Sequence, residues 1–164
     1  PQALKPDARG RAALEQVIAG LGGTPLVLEF RDASWDDPRV YSWMDSRGAG
    51  LCCVDAPAIP GLFPPVTRVT GGRIAYLRCH GRSAATWYDH EEAWQRYDYL
   101  YSDAETAGIA ERVRALESAA GEVFVFYNNH YRAKAVDGAR RLIAALGLGG
   151  GGAGGPVAAG GAAE

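Results

Sequence analysis

The hydrophobic residues of this chain fall into four short runs, and each run stops abruptly in polar residues. The runs lack a regular polar alternation and are rich in β-branched and aromatic side chains, which is typical of strands buried on both faces. In a parallel α/β sheet or barrel, polar side chains at the carboxyl ends of such strands form the ligand site. The pattern therefore predicts a site built from the ends of Leu26–Arg31, Leu51–Asp55, Ile74–Arg82 and Val123–His130.

Amphipathic segments separate these runs and predict helices between the strands. Asp37 followed by Pro38 is typical of a helix start, and Ser102 with Glu105 matches a capping box. The predicted helices cover about 8–21, 37–48, 102–120 and 135–146, and the predicted strands cover 25–31, 51–55, 74–79 and 123–127.

This order of elements predicts an α/β fold with a parallel sheet and crossover connections. A complete (β/α)8 barrel needs about 250 residues, and the chain has 164. Because the chain also begins in a helix, and with Pro1 instead of Met, we interpret 1–146 as a partial barrel that resembles the second half of a (β/α)8 barrel, within a fragment. An open four-stranded sheet is the alternative. Residues 147–164, in which Gly and Ala dominate, are predicted to be a disordered tail.

Composition narrows the classes of partner only slightly. A net charge of -2 gives no support for binding to nucleic acid or to an acidic membrane surface. No apolar stretch approaches the ~20 residues of a membrane span. Cys52, Cys53 and Cys79 contain no C-x-x-C pair, which favours a reduced, cytoplasmic protein. The sequence identifies no cofactor.

Two strand ends carry the first candidate site residues. Glu29 and Arg31 have the same parity on their strand, so both can point into a barrel mouth, where they either pair with each other or hold a ligand. Trp35 follows them and is either a core residue or part of the site. Asp55 ends the next strand, where its carboxylate can be a metal ligand, a base or a cap of the following loop.

A row of cationic residues follows the third strand. Arg78, His80 and Arg82 share one parity, and such groups repel one another unless an anion lies between them. Arginine binds phosphate or carboxylate in a bidentate manner, and histidine can transfer a proton near neutral pH. The alternative is that Glu29 and Asp55 neutralise these cations and form a polar plug of the barrel.

Amide and aromatic side chains complete the candidate set. Asn128, Asn129 and His130 end the last strand, where they either orient a ligand or form an Asx turn. The segment 82–102 is long for a loop of a compact domain. It is interpreted as a lid, as a stacking platform for a base or sugar ring, or as a loop that packs its own rings on the barrel rim. Its aromatic residues are Trp87, Tyr88, Trp94, Tyr97, Tyr99 and Tyr101.

Five of these segments, in their order and spacing, resemble the DUF72 (YecE-like) family. The resemblance spans most of the chain before the Gly/Ala-rich tail. It implies a TIM-barrel-like fold whose N-terminal half this chain lacks, and it implies no particular activity. The segments that carry it are Glu29–Arg31 with Ser34-Trp35, Asp55–Pro57, Leu77–Arg82, Tyr97–Ser102 and Tyr127–His130.

The leading hypothesis is a site for a small anionic ligand, bearing phosphate or carboxylate, at the C-terminal ends of the strands. His80 or Glu29 would transfer a proton if the site is catalytic. The residues expected to contact the ligand are Arg31, Trp35, Asp55, Arg78, Arg82, Tyr97, Tyr99, Asn128, Asn129 and His130.

Two alternatives belong to other classes of protein. The first is a non-catalytic binder of nucleotides or single-stranded nucleic acid, which would use the aromatic loop. The second is a metal-dependent hydrolase, which the nearby arginines disfavour, and no metal site is predicted; its ligands would be Glu29, Asp55, His80 and His130. In every case the expected protein partner is the missing N-terminal half-barrel or a second copy of the chain.

Overall fold

A computed structural model describes residues 4–21 and 23–150, and within them the chain alternates helices with strands. The α-helices are α1 (Ala8–Gly20), α2 (Pro38–Ser46), α3 (Ala85–Tyr88), α4 (Asp103–Glu117) and α5 (Lys134–Ala145). The strands are β1 (Leu26–Leu28), β2 (Ala49–Asp55), β3 (Ile74–Cys79) and β4 (Glu122–Tyr127). Four short 3-10 helices cover Ala33–Trp35, Ala93–Tyr97, Tyr131–Ala133 and Leu148–Gly150. Most of the predicted tail, residues 151–164, lies outside the described residues.

The strands form one parallel sheet in the order β1-β2-β3-β4. The predicted α/β fold with parallel β/α units is confirmed. Neighbours in the sheet are consecutive in the chain, and within the described residues β1 and β4 each lack a second partner. A barrel closes by pairing such edges, so the sheet has the form of a partial barrel.

Two helix starts follow the predicted capping chemistry. The side chain of Asp37 accepts a hydrogen bond from the backbone of Arg39, and Pro38 occupies the first turn of α2. Ser102 and Glu105 form a reciprocal capping box at the start of α4. These caps fix where both helices leave the C-terminal edge of the sheet.

The predicted first strand, 25–31, is wrong in its length, because the observed β1 ends at Leu28. Asp32 draws the chain away: it forms an isolated bridge with Leu62, and its carboxylate accepts from the backbone and hydroxyl of Ser34. The predicted loop 82–102 also contains local structure, namely α3 and the 3-10 helix Ala93–Tyr97.

The two faces of the sheet differ in their cover. The outer face carries Ala75, Leu77 and Cys79, which pack in a core against α4 and α5. The opposite face, called here the lumen face, carries Tyr76 and Arg78 of β3 with their register neighbours Phe124 and Phe126 of β4. The two phenylalanines are exposed, 41% and 46% respectively. The site described next lies at the C-terminal end of the lumen face.

Candidate functional site

Glu29, one residue beyond β1, is the centre of a charged cluster. Its carboxylate lies 2.7 Å from the guanidinium of Arg31 and 2.6 Å from that of Arg78. The imidazole Nε2 of His80 lies 3.2 Å from the same carboxylate. The structure therefore brings together Glu29, Arg31, Arg78 and His80, called here the Glu29 cluster.

The electrostatics of the cluster keep Glu29 ionised. Burial alone would raise the pKa of this carboxyl, but the hydrogen bond from His80 and the charges of Arg31 and Arg78 outweigh it and hold the pKa at about 2. One carboxylate then faces two guanidinium groups. Among the described residues neither arginine forms an ion pair with another carboxylate, so the cluster retains one positive charge when His80 is neutral.

His80 is fully buried, and its hydrogen bonds define its tautomer. The amide nitrogen of Asn128 lies 2.9 Å from Nδ1, so as oriented it donates to that atom. The proton of neutral His80 then resides on Nε2, which donates to Glu29. Burial, reinforced by the charges of Arg31 and Arg78, lowers the pKa of His80 against the opposing effect of Glu29. His80 is thus a neutral donor that holds Glu29.

Arg82 does not join this cluster, although the sequence pattern grouped it with Arg78 and His80. Its guanidinium forms two hydrogen bonds of 2.8 Å with the carboxylate of Asp55. The cause is Gly81, whose φ of +92 turns the chain after His80; a Cβ there would lie 2.5 Å from the Cβ of Tyr99. The predicted row of three cations on one face is therefore wrong for its third member.

Asp55 organises a second set of charges, called here the Asp55 cluster. Besides Arg82, it accepts hydrogen bonds from Arg112 at 2.9 Å and from the hydroxyl of Tyr101 at 3.0 Å. The guanidinium of Arg82 also lies 3.5 Å from Glu105. Burial alone would raise the pKa of Asp55, but these partners, first among them Arg82, lower it. Two carboxylates balance two guanidiniums, so the cluster carries no excess charge, although the side chain of Arg82 is 37% exposed.

No sequence pattern identified Arg112 as a member of this cluster. It lies within α4, where arginine is common on solvated surfaces, yet its guanidinium also donates to the backbone oxygens of Val54 and Val66. Those bonds tie α4 to the C-terminal end of β2. Only the sheet order, which places α4 beside that end, reveals the contact.

Of the three residues after β4, the first contacts the Glu29 cluster and the other two contact the aromatic loop. Asn128 contacts His80, as described. The amide of Asn129 donates to the backbone oxygens of His80 and Tyr97, which ties the loop to the sheet. His130 is exposed and its ring lies 5.9 Å from that of Tyr97. Of the three, His130 is exposed, Asn128 is half-buried and Asn129 is buried.

The aromatic loop covers His80 with part of its rings. Trp87 is buried and meets His80 edge-on at 6.1 Å, and Tyr97 lies 6.3 Å away. Tyr101 is buried in the Asp55 cluster, and Tyr99 donates to Glu105 at 2.5 Å. Farther along, Trp94 stacks on Tyr131. Much of the loop is therefore packed onto the rim.

Trp35 lies in the core. Its ring stacks on Phe30 at 4.3 Å, and its indole nitrogen donates to the backbone oxygen of Leu4. Only 1% of the residue is exposed. In this conformation it cannot reach a ligand, which favours the core interpretation.

Very little empty space lies beside His80. The space between Arg31, His80 and Trp87 has a volume of about 10 Å³, which is at or below the minimum that a single water molecule requires. A cleft of about 540 Å³ lies at the opposite, N-terminal end of the strands, near Gly50 and Thr70. Because active sites of barrels lie at the C-terminal ends, its size does not make it the candidate. A ligand of the Glu29 cluster would approach from the open lumen side.

Two further observations concern metals and membranes. In residues 4–21 and 23–150, no group of three or more His, Cys, Asp or Glu side chains is arranged to hold a metal ion. In the same part of the chain, no helix has the length and apolar character to cross a bilayer.

Comparison with known proteins places the chain among relatives of similar fold. Residues 1–159 match the family model described as "Protein of unknown function DUF72". The UPF0759 protein YunF of Bacillus subtilis (strain 168) is 31% identical over 135 residues, which are 77% of this chain and 48% of that protein. The chain thus spans about half the length of this curated relative.

Solved structures give the same result. A DUF72 family protein of Enterococcus faecalis V583 superposes with a TM-score of 0.85 at 28% identity, over 90% of this chain and 56% of that one. A DUF72 family protein of Thermotoga maritima MSB8 gives a TM-score of 0.83 at 34% identity, over 90% of this chain and 55% of that one. The share of the relatives that is matched agrees with a partial barrel.

Proposed function

The chain belongs to the DUF72 family of proteins of unknown function, and we propose that its Glu29 cluster binds a small anionic molecule that bears phosphate or carboxylate. The observation that supports this proposal is the excess of positive charge on the lumen face. Two guanidiniums share one carboxylate, and the side chains of Arg31 and Arg78 remain 32% and 33% exposed. An anion can replace water on the outer edge of both groups without breaking their bonds to Glu29.

The proposed roles follow from the contacts. Arg31 and Arg78 contact the anion, since guanidinium groups donate parallel hydrogen bonds to phosphate or carboxylate oxygens. Glu29 is a positioning residue that holds the two guanidiniums side by side, and His80 and Asn128 position Glu29 in turn. His130 and Tyr97 form the rim on the β4 side.

The cluster is better suited to binding than to proton transfer. A carboxyl with a pKa of about 2 is a weak base near neutral pH. His80 is shielded from the lumen by Glu29 and from solvent by the aromatic loop. We therefore propose a binding site, and a catalytic role of Glu29 or His80 would require the loop to open.

The same loop weighs against the nucleic-acid alternative. Stacking of bases needs free ring faces, and Trp87 and Tyr101 are buried. The metal-dependent alternative draws no support either, because the carboxylates of Glu29 and Asp55 are each engaged by two arginines.

A thermal-shift titration with inorganic phosphate tests the proposal. We expect phosphate to raise the melting temperature of the wild-type chain. Arg78→Ala should remove that shift, because losing a charge-assisted contact costs about 2–3 kcal/mol of binding free energy. Arg39→Ala is the matched control, since Arg39 forms an exposed ion pair with Asp37 on α2. An unchanged shift in Arg78→Ala contradicts the proposal.

The partner of the open sheet is a proposal of the same kind. We propose that four further β/α units, or a second copy of the chain, pair with the edges of β1 and β4. The unpaired strand edges and the exposed Phe124, which lies deeper on the lumen face, support it. The chain expressed alone should self-associate through these edges, which analytical ultracentrifugation measures. A monodisperse monomer would count against this partner.

A further inference from the structure

An aromatic pair lies directly beside the Glu29 cluster. The ring of Tyr76 stacks on that of Phe126, with centroids 4.9 Å apart and planes within 13° of each other. Phe124 continues the group toward the interior, 6.5 Å from Tyr76. Phe126 is 46% exposed on the lumen face. Large exposed rings beside a charged cluster are uncommon on soluble surfaces and often mark an interaction site.

The sheet register places this pair within reach of the arginine. Arg78 is the register partner of Phe126 on the neighbouring strand, and Tyr76 precedes Arg78 by two residues on the same face. Two residues of a strand span about 6.6 Å, which matches the length of a phenyl ring joined to a phosphate group. One molecule can therefore contact the guanidinium with its anion and the two rings with its body.

We infer that the anion bound by the Glu29 cluster carries a planar aromatic ring, so that the ligand class is an aryl phosphate or aryl carboxylate. This inference rests on the proposed function, because the anion must first bind to Arg31 and Arg78. A ring lying against Phe126 gains an offset or edge-to-face contact in addition to burying apolar area. An anion without a ring would leave the exposed surface of Phe126 in water.

Closure of the barrel does not compete with this assignment. A partner that extends the sheet pairs with the backbones of β1 and β4. Arg78 and Phe126 lie in the last two residues of β3 and β4, at the mouth, whereas Phe124 lies one layer deeper. We therefore assign the deeper ring, Phe124, to a closing partner and the ring at the mouth, Phe126, to the ligand.

Calorimetric titration of the full chain with three probes tests the inference: inorganic phosphate, methyl phosphate and phenyl phosphate. We expect phenyl phosphate to bind about tenfold or more tightly than methyl phosphate, which has the same charge. Phe126→Leu should remove most of that preference and leave the affinity for inorganic phosphate unchanged. Phe126→Tyr should retain the preference, and Val136→Ala, on the exposed surface of α5, should change nothing.

The outcomes separate this inference from the function on which it rests. If phenyl and methyl phosphate bind equally well, the aryl inference fails and the anion site stands. If none of the three probes binds, both fail. If Phe126→Leu abolishes self-association while the two esters bind equally, the rings belong to a protein interface and the aryl inference is again overturned.

Discussion

The Glu29 and Asp55 clusters are built from the same types of residue but differ in net charge: the first has an excess of positive charge, and the second is balanced. Each is built on one carboxylate near the end of a strand, and each carboxylate receives two arginines. At Asp55 a second carboxylate, Glu105, balances the charge, and the buried Tyr101 hydroxyl occupies the remaining acceptor site. At Glu29 no second carboxylate pairs with the arginines among the described residues, and the cluster faces the open lumen.

The comparison shows that the balance of charges, more than the residue types, separates a structural network from a candidate ligand site. Arg112 uses its donors on Asp55 and on two backbone oxygens, so it has little left for a ligand. Among the described carboxylates, Arg31 and Arg78 each pair only with Glu29. About a third of their side-chain surface is exposed, a share close to the 37% of Arg82, so the charge balance and not the exposure distinguishes the two clusters. Where guanidinium groups outnumber carboxylates at a strand end, the unbalanced positive charge favours the binding of an external anion.

The largest expected effect comes from neutralising Asp55. Asp55→Asn leaves Arg82 and Arg112 facing each other without their shared carboxylate, and breaking a buried pair typically costs about 3–5 kcal/mol of unfolding free energy. Urea denaturation measures it, with Glu111→Gln, an exposed change on α4, as control. A loss of less than about 1 kcal/mol would mean that the Asp55 cluster is not the structural one.

A smaller loss is expected from removing one hydroxyl of the same cluster. The Tyr101 hydroxyl donates to Asp55 and accepts from the backbone N–H of Gly81. Tyr101→Phe leaves that buried N–H unpaired, which costs about 1–3 kcal/mol. Denaturation compares it with Tyr131→Phe, which keeps the stack on Trp94. The phosphate-induced shift should survive in both variants, and its loss from Tyr101→Phe would join the two clusters into one.

Sequence patterns predicted the sheet better than they predicted the site. Runs of apolar residues and capping motifs depend on local spacing, so the strands and the starts of α2 and α4 follow from them. Parity along a strand also placed Arg78 near Glu29. It failed for Arg82, because parity holds only while the chain stays extended and Gly81 ends that extension. Arg112 comes from an element 57 residues from Asp55 in the chain, and no local pattern reports such a contact.

Glu29→Gln tests the anion site from the opposite direction. Removing this charge raises the excess from one positive charge to two, so inorganic phosphate should bind about tenfold more tightly at low salt, and less so at high salt. Stability should fall by only about 1–2 kcal/mol, because the amide oxygen of glutamine still accepts a hydrogen bond from an arginine and keeps the guanidiniums at the site. The two changes are read from one calorimetric titration and one urea curve. Weaker phosphate binding would favour the interpretation of the cluster as a polar plug.

The smallest expected effect is a pH dependence that belongs to the Glu29 cluster alone. In the folded chain the pKa of His80 is lowered from its ordinary value of 6.5, chiefly by burial and also by the charges of Arg31 and Arg78, whereas in the unfolded chain it returns to that value. As the pH falls below about 6.5, the unfolded state therefore binds more protons, and the unfolding free energy decreases.

The carboxyl groups do not mask this effect. Because their pKa values are lowered, Glu29 and Asp55 contribute their full stability above the ordinary carboxyl pKa values of 4.5 and 3.8, and these contributions are lost only as the pH falls from there toward the lowered values. Urea curves at pH 7 and pH 5 should thus show a loss of stability that His80→Gln reduces, since an uncharged amide can still donate to Glu29. His130→Gln, which changes an exposed ring, and Tyr101→Phe, which changes the other cluster, should both keep the wild-type loss. If His80→Gln also keeps it, the loss does not come from His80, and His80 is not held neutral between Glu29 and Asn128.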